Sequence, residues 1–68
     1  MDKNKTIYYI DVWTWNGEEY EPLIAFESES LEDVKEKYDA YDLDIDHPKI
    51  DLMEKNEQET LLIDYREN

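Results

Sequence analysis

The dipeptide Asn16-Gly17 constrains the fold of this chain more than any other feature, because it separates two runs of strand-forming residues. The run 6–15 is rich in β-branched and aromatic residues, and residues 18–27 form a second strand-like run. Asn-Gly favours a two-residue type I′ turn, since both central positions of that turn need a positive φ. The sequence therefore predicts an antiparallel β-hairpin in which Trp15 pairs with Glu18.

This register assigns the hairpin side chains to two faces. The first face carries the pairs Ile7/Phe26, Tyr9/Ile24, Asp11/Pro22 and Trp13/Tyr20. The second face carries the pairs Tyr8/Ala25, Ile10/Leu23, Val12/Glu21 and Thr14/Glu19. The first face is the predicted core because its pairs are the more apolar and aromatic. The second face keeps an apolar patch that more of this chain, a second copy or a target would cover.

A single helix is predicted after the hairpin, beginning at Ser28 or Ser30 and ending near Asp39 or Tyr41. The pattern from Ser30 to Asp33 is that of a capping box, in which the serine side chain accepts a backbone N–H three residues later. Spacings of three and four residues give the helix one narrow apolar stripe. That stripe consists of Leu31, Val34 and Tyr38.

Residues 49–55 and 60–66 predict a second hairpin, and the order β-β-α-β-β follows. Its predicted pairs are Ile50/Tyr65, Leu52/Ile63, Met53/Leu62 and Asp51/Asp64. The two opposed aspartates would repel each other, which makes this register the less favourable of the two. The chain is therefore expected to form one α+β domain over residues 1–68, an antiparallel sheet with one helix packed on a face. Residues 1–5 and 67–68 are expected to be frayed.

Charge excludes several classes of function. The 68 residues include twenty acids and seven bases, for a net charge of −13. Direct nucleic-acid binding needs a basic surface, and an anionic membrane would repel this chain. We find neither an apolar stretch of about 18 residues, as a spanning helix requires, nor a signal-peptide pattern.

The lack of cysteine fits a reducing compartment, so the expected location is the cytoplasm, or the host cytosol if a phage encodes the protein.

Catalytic and metal-binding patterns are weak. The chain has one histidine, His47, no cysteine and no glycine-rich loop, so we predict that it is not an enzyme and needs no cofactor. Asp42, Asp44 and Asp46 have the spacing of the first EF-hand ligands. The sixth and twelfth positions of such a loop would be His47 and Met53, where Gly and Glu are required. No metal site is therefore predicted.

The acidic residues are concentrated in one part of the chain: nine of the twenty lie between Glu27 and Asp46. In the segment 41–46 apolar and acidic residues alternate, which predicts a strand with Tyr41, Leu43 and Ile45 towards the core. Its three aspartates would then stand about 6.6 Å apart on the other face, close to the step between phosphates of a nucleic acid. Such a surface suits the basic groove of a DNA-binding protein, and ordinary solubility is the alternative.

The segment 25–34 resembles protein inhibitors of uracil-DNA glycosylase from phages and staphylococci, with Glu29-Ser30-Leu31 in place of their Glu-Ser-Ile. In that family these residues engage the DNA-binding loops of the enzyme, and a hydrophobic pocket holds the leucine that the enzyme inserts into DNA. The resemblance implies that Glu29 and Ser30 contact the enzyme, with Glu32 and Asp33 as phosphate surrogates. It also implies a pocket, for which the candidates are Leu31, Val34 and Tyr38 with Met53 or Leu62.

These observations predict a non-enzymatic inhibitor that occupies the DNA groove of a DNA-processing enzyme, with uracil-DNA glycosylase as the first-choice target. An anti-CRISPR or anti-restriction protein is the alternative within this class. A small homodimeric or scaffold protein, acidic for solubility alone, is the alternative outside it. The predicted partner-binding residues are Glu29, Ser30, Leu31, Glu32, Asp33, Glu36, Asp42, Asp44 and Asp46.

Overall fold

The computed structural model of the chain describes residues 5–68, so the predicted fraying of residues 1–4 lies outside the described part. The elements are β1 (Ile7–Trp15), β2 (Tyr20–Ser28), α1 (Leu31–Ala40), β3 (Lys49–Lys55) and β4 (Thr60–Glu67). The four strands form one antiparallel sheet in the order β2-β1-β3-β4, and α1 packs on one face. The predicted α+β fold is therefore confirmed.

The end of the chain is tied to the sheet. Glu67 closes β4 opposite Lys49, and the backbone N–H of Asn68 donates to the carbonyl of Pro48 at 2.7 Å. Residues 67–68 therefore contact the sheet, and fraying at this end of the chain stays a prediction.

The first hairpin forms with a register two residues away from the predicted one. Trp15 pairs with Tyr20 and not with Glu18. The Oδ1 atom of Asn16 accepts the backbone N–H groups of Glu18 and Glu19, both at 2.9 Å. Within the described residues only Gly17 has a positive φ, of 105°. The asparagine therefore shapes the turn through its side chain and does not adopt the positive φ of a type I′ turn.

The core lies on the hairpin face opposite to the predicted one. A bulge at Ala25 brings Phe26 opposite Ile10, on the face that α1 covers. The buried core consists of Ile10, Val12, Val34, Tyr38, Ile50 and Leu52. The predicted core face is wrong because it also carries Asp11 and, from β3, Asp51, and a helix over it would bury both carboxylates.

The second hairpin keeps the predicted register only near its turn. There the pairs are Lys55/Thr60, Glu54/Leu61 and Met53/Leu62. A bulge at Ile63 then shifts β4 by one residue, so that Asp51 lies opposite Tyr65 and not Asp64. The predicted pairs of Ile50, Asp51 and Leu52 are wrong for this reason, and the bulge removes the expected repulsion between two aspartates.

The helix begins as predicted. The Oγ atom of Ser30 accepts the backbone N–H of Asp33 at 3.2 Å, so Ser30 is the N-cap. The N–H of Ser30 donates to the Oγ atom of Ser28 at 3.1 Å, an acceptor that the acid of a capping box would otherwise supply. Within the apolar stripe Val34 and Tyr38 are buried, whereas 38% of Leu31 is exposed.

The segment 41–47 is a loop and not the predicted strand. Tyr41 and Leu43 pack against the core, but 81% of Ile45 is exposed. The Oδ1 atom of Asp44 accepts the backbone N–H groups of Asp46 and His47 at 3.0 and 2.8 Å. This local side-chain turn competes with a strand ladder, and the predicted row of evenly spaced aspartates is not formed.

Candidate functional site

One face of the molecule presents the carboxylates of α1 and of Glu29, which lies just before it; we call this the acidic surface. It consists of the exposed residues Glu29, Glu32, Asp33, Glu36 and Asp39. Two of these acids have a cation: Lys5 lies 3.2 Å from Glu29, and Lys35 lies 3.2 Å from Asp39. Within the described residues no cation pairs with the other three, and Lys37 lies over the ring of Phe26 at 5.5 Å. The acidic surface is therefore only partly neutralised by its own lysines.

The predicted partner-binding residues fall into two groups. Glu29 to Glu36 lie at the beginning of α1, where Ser30 uses its hydroxyl as the helix cap. Asp42, Asp44 and Asp46 lie in the exposed loop that follows α1. A side-chain hydrogen bond from His47 lowers the pKa of Asp44, and backbone N–H groups add to this effect. Asp44 therefore has a structural role in its loop, and partner binding by the nine residues stays a prediction.

The predicted hydrophobic pocket is not formed. Val34 and Tyr38 are 0% and 1% exposed and belong to the core. Met53 and Leu62 pair with each other on the opposite face of the sheet, as the alternation of the strands requires. Leu31 alone among the five is both exposed and close to the acidic surface. The leucine-binding pocket implied by the family resemblance is therefore not built by these residues.

The sheet face opposite α1, which we call the open face, is the second candidate surface. It carries the odd-numbered residues of β1 and β3 and their cross-strand neighbours. Within the described residues no element covers it. Its most exposed large side chains are 43–58% accessible; these are Trp15, Tyr20, Ile24, Leu62 and Tyr65. The sequence analysis missed this surface because it placed the core there.

Two carboxylates stand side by side at the centre of the open face. Asp11 of β1 is the direct cross-strand partner of Asp51 of β3. Asp51 is only 8% exposed; its Oδ2 atom accepts the indole N–H of Trp13 at 2.9 Å. Its Oδ1 atom has no hydrogen-bond partner within the described residues. Burial, together with the charge of Asp51, raises the pKa of Asp11.

A lysine lies next to this pair. The Nζ atom of Lys49 is 3.8 Å from the Oδ1 atom of Asp51, too far for a hydrogen bond. It also lies 5.6 Å from the ring centroid of Trp13 and 5.2 Å from that of Tyr65. The centre of the open face thus combines two carboxylates and two aromatic rings around one cation, an arrangement that attracts positive charge.

In the described part of the chain no group of three acids or histidines is placed to hold a metal ion. No helix within residues 5–68 has the length and apolar character needed to cross a membrane. Comparisons with family models, with curated proteins and with solved structures found no match to this chain.

Proposed function

We propose that this protein is a non-enzymatic inhibitor that imitates DNA and occupies the basic groove of a DNA-processing enzyme. The observation that carries the proposal is the acidic surface, where Glu32, Asp33 and Glu36 are exposed and have no ion-pair partner within the described residues. These acids stand on a capped helix that packs on the sheet, so the backbone that carries them is held in place. A fixed negative surface attracts a basic groove and steers its approach.

Uracil-DNA glycosylase is the first target to test, because Glu29-Ser30-Leu31 resembles the inhibitors of that enzyme. An RNA-guided nuclease and a restriction enzyme are the alternative targets within the class. Since the predicted leucine-binding pocket is not formed, the interaction is proposed to depend on charge more than on an apolar socket. The protein would act in the cytoplasm, where such enzymes meet DNA.

The test is uracil excision from duplex DNA with and without a stoichiometric excess of the protein. The proposal predicts inhibition that competes with DNA and weakens steeply as salt is raised, because screening acts on exposed charges. Full glycosylase activity would exclude this target, and the same titration against a restriction enzyme and an RNA-guided nuclease would then test the class. Uninhibited DNA cleavage by these enzymes as well would contradict the proposed function.

A small scaffold or homodimeric protein is the second candidate, and the uncovered apolar open face favours it. In this case the acidity would serve solubility alone. Light scattering separates a monomer of 8.3 kDa from a species of twice that mass. A monomer mass at high protein concentration would exclude the homodimer.

A further inference from the structure

The centre of the open face is the least favourable arrangement of charge in the sheet. Asp11 and Asp51 are directly opposed, and like charges in this position destabilise a pair of strands. Across the sheet the row reads Ile24, Asp11, Asp51 and Tyr65, so apolar or aromatic side chains flank both acids. A buried carboxylate next to a second one, under no covering element, is an arrangement that folding alone does not favour.

The pair is also only partly neutralised by the cations of the described residues. Asp51 has Lys49 at 3.8 Å, whereas no ion pair joins Asp11 to any cation of the described residues. The Oδ1 atom of Asp51, whose side chain is 12% exposed, accepts no hydrogen bond within the described residues. Asp51 thus has one lysine nearby that does not hydrogen-bond to it, Asp11 has no ion-pair partner within the described residues, and acceptor capacity is left at the centre of the face.

We propose that the open face docks a partner protein that presents an arginine, and that its guanidinium binds over Asp11 and Asp51. A guanidinium has five donors in a planar fork that matches carboxylates, and it stacks on aromatic faces. The rings of Trp13 and Tyr65, which already lie beside the Lys49 ammonium, provide such faces. The side chain of Lys49 is 35% exposed, so the proposal requires it to turn towards solvent as the arginine enters.

The chain itself does not supply this arginine. Its single arginine, Arg66, lies on the helix side of the sheet, where its Nη2 atom donates to the carbonyls of Tyr38 and Tyr41. A second copy would also bring a further net charge of −13 against the first. The occupant is therefore a different protein with a positively charged interface. Because the open face and the acidic surface lie on opposite sides of the sheet, this proposal does not depend on the inhibitor function.

The test is an NMR titration of the full chain with N-acetyl-arginine amide, compared with the uncharged isostere N-acetyl-citrulline amide. The indole N–H of Trp13 reports directly on the site, because it is hydrogen-bonded to Asp51. The arginine probe is expected to give saturable shifts at this indole and at the amides of Asp11 and Asp51. The citrulline probe is expected to shift them little.

The substitution Asp11→Asn should weaken binding of the arginine probe about tenfold, since it removes one charged acceptor. Glu57→Gln, at the exposed turn between β3 and β4, removes the same charge and should leave the binding unchanged. Equal shifts with citrulline, shifts confined to residues 29–40, or unchanged binding to Asp11→Asn would overturn the proposal. A dimer mass in light scattering at the NMR concentration would also overturn it, in favour of a second copy as occupant.

Discussion

At the scale of single residues, the feature that the sequence did not predict is that Asp11 and Asp51 are direct cross-strand neighbours. Most acids of this chain are exposed, but Asp51 is buried and holds the Trp13 indole. The β1–β3 register that makes the two acids neighbours joins strands far apart in the chain. No local pattern encodes such a pairing, so the sequence alone did not predict it.

Removal of one carboxylate should stabilise the protein at neutral pH. The pKa of Asp11 is raised in the folded state, so folding favours its protonated form. The stability that protonated Asp11 contributes is therefore fully present below the ordinary aspartate pKa. It is lost as the pH rises through the higher pKa that Asp11 has in the folded protein. Asp11→Asn should gain about 0.5 kcal/mol at pH 7 and nothing at pH 3. Urea unfolding at both pH values measures this; a loss at pH 7 would contradict it.

The indole of Trp13 should contribute more to stability than that of Trp15. Trp13→Phe leaves the Oδ2 atom of buried Asp51 without its donor and should cost about 2 kcal/mol. Trp15 is 44% exposed and packs edge-on against Tyr20, with ring centroids 5.0 Å apart. Trp15→Phe is the matched control and should cost less than about 1 kcal/mol. Equal losses in urea unfolding would show that the hydrogen bond to Asp51 contributes little.

At the scale of elements, the sequence predicted the strands and the helix better than their registers. The Asn16 turn, the Ser30 cap and the run of β3 are local signals, and each of those elements formed. The bulges at Ala25 and Ile63 have no such local signal in the sequence. One bulge was enough to move Phe26 to the face that α1 covers.

The candidate site, like the fold, was predicted from the sequence only in part. The acids around α1 follow from the helix pattern and are exposed as expected. The pocket and the open face depend on which face of the sheet the helix covers. Both faces of the first hairpin carry apolar residues, so the pattern of apolar and polar residues does not decide which face is covered.

Two substitutions of Ser30 separate its structural role as the helix cap from its proposed role in binding a target. Ser30→Ala should lower the free energy of unfolding by about 1 kcal/mol, because the N–H of Asp33 loses its acceptor. Ser30→Asp should keep the stability, since aspartate is an equally good N-cap. If Ser30 also contacts a target, Ser30→Asp should still reduce inhibition. A stable Ser30→Asp variant with full inhibition would leave Ser30 as a cap only.

At the scale of the whole molecule, the sheet separates two different surfaces. The acidic surface carries fixed charge on α1, whereas the open face carries aromatic and aliphatic side chains around two aspartates. A net charge of −13 alone does not distinguish a solubilising coat from an imitation of DNA. Removing charge at chosen positions would distinguish them, because only imitation requires the acids of α1 more than acids elsewhere.

The measurement that tests this most directly is inhibition of uracil-DNA glycosylase by two triple variants of equal net charge. The first carries Glu32→Gln, Asp33→Asn and Glu36→Gln on α1. The control carries Glu18→Gln, Glu57→Gln and Glu59→Gln at the exposed hairpin turns. We predict that the first variant raises the inhibition constant at least about tenfold, as three exposed charge contacts would, and the control less than about twofold. Equal effects of the two variants would contradict the account.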